Sequence, residues 1–307
     1  LGAVLAEAAL AGRDKLTILA DAPLSAFALW IEQIIAESSG KHGKGILPVP
    51  LEPVGEPGVY GNDRIFVYLR QTGDMDENLK ALREAGHPVI EFAIPDLYEV
   101  GAEMYRWEVG TAIACSILGV NAFDQPNVET SKKITKAKIA DYQKTGRLDE
   151  GKSIQTSDGF SVFSSSDVSG ATLAEMLKNF LAQAKPNGYV AINAYLPRNE
   201  DMIKRLQEMR TAIRAKTGTA VTAGFGPRFQ HSTGQFHKGG PDNALFLVIT
   251  AEPAADFDVP TQGLTFGTLI RAQAMGDYEA LIEAGRNVLR VHLLSVQDVP
   301  LLVEALK

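Results

Sequence analysis

The chain has 307 residues, enough for one large domain or two ordinary ones. Hydrophobic residues make up 45% and charged residues 22%, a globular balance, and a formal charge of −7 with a pI near 5.4 argues against nucleic acid or an anionic membrane as the main partner. No apolar run reaches the ~18 to 20 residues that span a bilayer, and the N-terminus lacks the charged-then-apolar layout of a signal peptide. Cys115 is the only cysteine, which rules out an intrachain disulfide and fits a reducing cytoplasm. Within TAIACSIL it reads as a small buried apolar residue.

The sequence begins at Leu1, not at methionine, and enters helix-like residues at once, so the chain is expected to be part of a longer polypeptide. LTILA (residues 16–20) is a short apolar run. Phe27, Trp30, Ile31, Ile34 and Ile35 then follow at i, i+3, i+4, i+7 and i+8, the stripe of a helix packed on a sheet. GILPVPL (45–51), IFVYL (65–69) and PVIEFAI (88–94) supply further strands, with a polar helix over about 76–84 and a longer one over about 97–118. Strands alternating with helices predict a mainly parallel sheet covered on both faces.

Residues 146–170 are rich in Ser, Gly and Asp without a sustained period and read as a linker or surface excursion, in which FSVF is able to form a short strand. The α/β rhythm then resumes. Leu173, Met176, Leu177, Phe180 and Leu181 form a helical stripe, residues 189–195, 220–225, 244–250 and 288–293 read as strands, and helices are expected over about 200–216, 264–275 and 277–284. The domain reading is therefore 1–146, a connecting stretch 147–170, and a second α/β lobe over 171–307.

Three stretches concentrate polar chemistry. ESSGK (37–41) places Glu37 at the end of the first striped helix, ahead of Ser38, Ser39, Gly40 and Lys41. A carboxylate at a helix end beside a glycine loop reaches the crevice at the edge of a parallel sheet, where it suits proton transfer. On position alone a solvated carboxylate at a helix terminus is the favoured reading of Glu37. In FDQPNVETSK (123–132), Pro126 stops the preceding helix and Asn127 is the predicted N-cap of the helix carrying Lys132. The free amides of that helix start favour an anion. Lys132 on its own also reads as a surface lysine paired with Glu129 at i, i+3. The third stretch, FGPRFQHSTGQFHKGGPDN (225–243), gathers Arg228, His231, His237 and Lys238 among Ser, Thr, Gln and Gly. It suits a phosphate-binding loop and a structural loop equally, and its histidines, six apart with no clustered carboxylate, make no metal pattern. His42, His87 and His292 read as a loop residue and two structural ones. No dinucleotide fingerprint, Walker loop, GxSxG or HExxH is present.

These stretches resemble the active-site motifs of phosphoglucose isomerases. Glu37-Ser38-Ser39-Gly40-Lys41 matches the family's Glu-Ser-x-Gly-Lys, and Gly55-Glu56-Pro57-Gly58 its GEPG turn. Phe123, Asp124, Gln125, Val128, Glu129 and Lys132 match Phe-Asp-Gln-x-Gly-Val-Glu-x-x-Lys, with Asn127 in place of Gly. HSTGQFHKGGP and the segment 264–293 resemble the tail of bacterial fusions in which transaldolase precedes the isomerase.

The resemblance implies a sugar-isomerase (SIS-type) three-layer αβα parallel sheet followed by a second α/β lobe. It implies interconversion of glucose 6-phosphate and fructose 6-phosphate through an enediol, without metal or organic cofactor, by a homodimer. Glu37 would be the base, Lys132 would assist ring opening, and Gln125, with Ser38 and Lys41, would hold the phosphorylated hexose. Two departures accompany it. Asp63 stands where the family has a ring-opening His, so either ring opening proceeds differently or another His substitutes, His231 or His237 being the candidates, with Lys238 and Arg228 nearby in sequence. The match also starts within the family's second sugar-isomerase domain, so the phosphate contacts and enediolate-stabilising Arg of the first are expected to lie outside this chain. The rival from another class is a non-catalytic sugar-phosphate-binding or assembly module.

Overall fold

The computed structural model describes residues 1–157 and 159–307; Asp158, in the expected connecting stretch, lies outside the described residues. The chain divides into two compact units, one of Leu1–Pro126 with Gly218–Thr222 and His231–Pro241, the other of Asn127–Thr217 with Ala223–Gln230 and Asp242–Lys307.

The first unit runs α1 (Gly2–Leu10), β1 (Lys15–Ala20), α2 (Ser25–Ser39), β2 (Leu47–Pro50), β3 (Arg64–Arg70), α3 (Asp76–Glu84), β4 (Val89–Ala93) and α4 (Val100–Leu118). Every strand and helix expected here is present. α4 starts three residues late because Leu97–Glu99 form a 3₁₀ turn, whose amide at Tyr98 donates to Asp96 Oδ1 at 2.9 Å. α4 ends at Gly119, whose left-handed φ of 72° lets the chain turn back, with Val120 N donating to Cys115 O at 2.9 Å.

The four strands are all parallel in the order β2-β1-β3-β4. The alternation of strand residues sorts them onto two faces. Leu16, Ile18, Ala20, Ile65, Val67 and Leu69 pack with Ile31 and Ile35 of α2 and Trp107 and Leu118 of α4, while Leu19, Phe66 and Tyr68 pack with Leu79 and Leu82 of α3. The sheet is thus covered on both sides, the α/β layering that the sequence pattern predicts. Cys115 lies fully inside, and burial pushes its thiol up to about 11.

The connection from β1 leads to β2 on one side of it, and β3 and β4 stand on the other. A crevice forms at such a reversal, beyond the carboxyl ends of β1 and β3. In this unit it is filled from within. Asp21, fully buried just after β1, accepts hydrogen bonds at Oδ2 from the amides of Gln71, Thr72 and Gly73 (2.8, 2.7 and 2.9 Å) and at Oδ1 from Tyr68 OH (2.5 Å). Three successive amides facing one point make an anion nest, and the occupant is the chain's own carboxylate.

The second unit contains α5 (Glu129–Thr145), β5 (Gln155–Ser157), β6 (Phe160–Ser164), α6 (Leu173–Leu181), β7 (Tyr189–Tyr195) and α7 (Glu200–Thr217). β8 (Ala220–Phe225) follows, then α8 (Thr233–Gly239), which belongs to the first unit. β9 (Ala244–Ala251), α9 (Phe266–Glu283), β10 (Asn287–Leu293) and α10 (Val299–Ala305) complete the second unit. The sheet order is β5-β6-β10-β9-β7-β8; β10, β9 and β7 are parallel, and β6 and β5 run antiparallel at the edge. FSVF therefore becomes a full ladder strand, with Val162 opposite Val291.

Two local expectations change. The helices expected over 264–275 and 277–284 are one, α9, because Gly276 is not a break: a Cβ there would collide with Thr135, so the glycine serves the close crossing of α5 and α9. The helix carrying Lys132 starts at Glu129, with Val128 and not Asn127 at its N-cap and no side-chain capping bond, because residues 126 and 127 are taken up by a turn. Glu129 itself occupies the first turn and already answers the helix dipole.

The nest sets a stability prediction. Burial opposes charge on Asp21, but the bonds from Tyr68, Gly73, Gln71 and Thr72 outweigh it and hold its carboxyl down to about 2, from 3.8. A depressed carboxyl stabilises the fold above its unfolded pKa and loses that contribution as pH falls through the folded value. The pair of values corresponds to roughly 2 kcal/mol, present at neutral pH and lost between about pH 4 and 2. Asp21→Asn is expected to lower unfolding free energy by at least about that amount at pH 7 and to flatten the acid limb of a urea-denaturation series over that window.

Candidate functional site

α2 ends in the ESSGK stretch, and its last turn is tied to the loop that follows. Ser39 Oγ donates to Ile35 O (2.7 Å) and accepts from Ile46 N (3.0 Å), which closes residues 40–46 into a compact excursion. Lys41 and Lys44 pair across it around His42 and Gly43, both at positive φ.

Both lysines reach back to the other motif of this unit. Lys41 Nζ donates to the carbonyl of Asn121 and forms an ion pair with Asp124 Oδ1 at 3.0 Å, and Lys44 Nζ donates to Leu118 O at 3.0 Å. Leu118 ends α4, where unpaired carbonyls and the negative end of the dipole favour a cation. Asp124 opens the DQP stretch, and Lys41 holds its carboxyl below the usual range.

The HSTGQFHKGG stretch closes over the same loop as α8. Gln235 Nε2 donates to Gly40 O (2.9 Å), Gly43 N donates to Gly239 O (2.9 Å), and Ser232 Oγ meets Glu32 Oε1 at 3.4 Å. A Cβ on Gly40 would collide with the backbone of Phe236, and one on Gly45 would lie 2.7 Å from the Phe236 ring. Residues 37–41, 121–126 and 231–240 are thus brought together within the first unit.

The candidate residues fare differently within this arrangement. Glu37 and Ser38 are half-buried in the last turn of α2, and Gln125 is exposed. Lys41 is 1% exposed and fully engaged as the tie just described, so it acts in this structure as a positioning residue rather than as an open substrate contact. His237 and Lys238 are buried in α8, and Lys238 Nζ lies 3.4 Å from Gly234 O. His231 is exposed. Asp63 is buried, 3.6 Å from Lys15 Nζ, so it serves the interior and not a substrate.

Lys132 and Arg228 belong to the second unit, and both are exposed. Lys132 Nζ donates to Glu129 Oε1 at 2.7 Å, the i, i+3 pair that its spacing allows. Among the described residues no group of three or more His, Cys, Asp and Glu is placed to hold a metal ion, and no helix is long and apolar enough to cross a membrane.

The chain is similar to glucose-6-phosphate isomerases. It is 32% identical over 162 residues to the enzyme of Rubrobacter xylanophilus, covering 40% of this chain and 37% of that protein. It is 28% identical over 143 residues to that of Leptospira biflexa, covering 34% and 32%, and 36% identical over 92 residues to that of a Thermus thermophilus strain, covering 26% and 22%. The chain spans about a third of the length of the first two relatives. No family model matches. Among solved structures, a hypothetical protein from Thermus thermophilus superposes over 99% of this chain and 79% of its own with a TM-score of 0.38 and 16% identity, a likeness too weak to identify a fold.

Sequence reading missed the nest around Asp21 and the role of Asn121, whose carbonyl receives Lys41. Only the position of Asp21 directly after an apolar strand hinted at the first; nothing in the sequence marked the second. Gly40 offers the test of the assembled loop. Gly40→Ala must push α8 off α2, so a loss of about 1–3 kcal/mol is expected, read by denaturant unfolding, together with faster hydrogen exchange at the Gly43 amide.

Proposed function

We propose that this chain supplies the proton-transfer carboxylate and substrate-binding loops of a phosphohexose aldose–ketose isomerase acting on glucose 6-phosphate and fructose 6-phosphate. The observation that carries the reading is the convergence of ESSGK with the DQP stretch through Lys41, joined to the similarity with glucose-6-phosphate isomerases.

Glu37 is the base. On the open-chain aldose its carboxylate takes the proton from C2, the electrons of that C–H bond form the C1–C2 double bond and O1 takes up a proton to give the enediol; the carboxylate then returns its proton to C1 as O2 gives up its own to become the ketone, so that in sum one proton passes from C2 to C1 and one from O2 to O1. Half-burial at a helix end, beside a loop held rigid by Ser39 and Lys41, fixes the carboxylate while leaving it access to a ligand. Gln125, exposed in the neighbouring stretch, and Ser38 contribute hydrogen bonds to the sugar. His231 is exposed and His237 buried, so His231 takes the role of the missing ring-opening group.

The protein acts as a homodimer in this reading. Tyr105, Val109, Ile113 and Ile117 recur every four residues along α4 and are all exposed, an apolar stripe suited to a second copy. The buried state of Lys41, His237 and Lys238 favours one alternative, a module that binds sugar phosphate without turning it over.

Conversion of fructose 6-phosphate to glucose 6-phosphate by the full chain, coupled to a dehydrogenase, decides between the two. Measurable turnover is expected, with Glu37→Gln lowering kcat by at least about 10³-fold while fructose 6-phosphate still binds by calorimetry. Binding with no turnover in either protein would support the non-catalytic module, and no binding would remove both readings. For the dimer, Ile113→Glu is expected to move the chain from twice the monomer mass to the monomer mass in light scattering.

A further inference from the structure

The second unit holds a cavity of about 230 Å³ that the isomerase reading does not use. Its walls come from the carboxyl ends of parallel strands: Tyr195, Leu196 and Pro197 at the end of β7, and Thr250 and Glu252 at the end of β9. Ile270 and Arg271 of α9 close the far side. From β7 the chain moves outward to β8, then returns past β7 to β9 and on to β10. The direction of travel therefore reverses between β7 and β9. That reversal is where an open α/β sheet forms its ligand crevice, and the cavity lies at it.

The charges at this place are balanced. Arg271 pairs with Glu150 (Nε–Oε1, 3.0 Å) and with Glu252 Oε1, and Arg290 pairs with Glu150 Oε2 at 2.9 Å. His292 lies 3.4 Å from Glu252 Oε1 and 3.0 Å from Thr250 Oγ1. Burial, partly countered by Glu150, holds the imidazole down to about 4, so it is neutral near pH 7. Two arginines thus face two carboxylates, and no surplus positive charge remains for an anion. Every hydrogen bond and ion pair of the Glu252 side chain among the described residues is made by Oε1. Oε2 is left as an acceptor at the rim. The remaining walls are apolar, with Tyr195, Leu196, Pro197, Pro253, Ile270 and Val296 contributing most of them. The volume lies below the ~300 Å³ at which pockets for drug-sized ligands begin, which limits the occupant to a compact molecule.

We propose that this cavity is a binding site for an uncharged ring compound of nucleoside size, with the ring between the apolar walls and hydroxyl donors on Glu252 Oε2. Balanced charge excludes phosphorylated ligands, the apolar walls favour a ring face, and the lone carboxylate oxygen selects a hydroxyl-bearing edge.

Adenosine is the probe, with adenosine monophosphate as its charged counterpart, titrated calorimetrically into the full chain. Saturable adenosine binding is expected, at least tenfold tighter than the monophosphate. Ile270→Trp fills the cavity from a partly exposed helix position and is expected to abolish binding with little change in the unliganded melting temperature. Glu252→Ala is expected to weaken binding at least tenfold, and it serves as the second variant should Ile270→Trp fail to fold. No adenosine binding at millimolar concentration, equal affinity for the monophosphate, or undiminished binding in Ile270→Trp or Glu252→Ala would each overturn the proposal.

Discussion

A buried ammonium group organises the first unit. Lys41 is 1% exposed, and removing a lysine charge from water costs several kcal/mol unless each donor finds a partner. The partners are the carbonyl of Asn121 and the carboxylate of Asp124, which stand beyond the end of α4, while Lys41 itself begins the loop after α2. Meeting that requirement brings two helix ends together. It also places the Glu37 turn beside the DQP stretch, and α8 then seals the loop because Gly40 and Gly45 lack the side chains that would exclude Phe236.

Buried charge is used in the same way elsewhere. Asp21 occupies the nest formed by residues 71–73 and so closes a crevice that the topology would otherwise open. In the second unit, Glu150 gathers Arg271 and Arg290, and Arg290 lies 3.8 Å over the ring of Phe163. The contrast between the units is chemical. The reversal point of the first sheet is filled by a carboxylate of the chain, whereas that of the second is lined mainly by apolar side chains and remains hollow. A filled crevice fixes a loop; a hollow one admits a ligand.

The period-2 and period-3.6 patterns made most elements legible, since strands such as KLTILA and YVAINAY are buried along their whole length and announce themselves as apolar runs. The errors had local causes. Gly276 suggested a helix break because glycine is a poor helix former, but the crossing with α5 demands a residue without a side chain. Asn127 suggested a cap because its type favours that role, but the turn at Pro126 moved the helix start to Glu129. Short α10, VPLLVEA, was not foreseen, because seven residues are too few to show a helical period.

The sequence by itself determined the α/β class, the mainly parallel first sheet, the burial of Cys115 and which three stretches carry the polar chemistry, because local periodicity and residue type fix these. Only the tertiary structure decided what each polar group does. It turned Lys41 from a candidate ligand contact into an internal tie, buried His237 and Lys238 while leaving His231 open, paired Asp63 with Lys15, and gave Asp21 its nest. The reason is that a side chain's access to solvent and the identity of its partner come from residues up to about two hundred positions away, as with Gln235 on Gly40, and no local pattern records them.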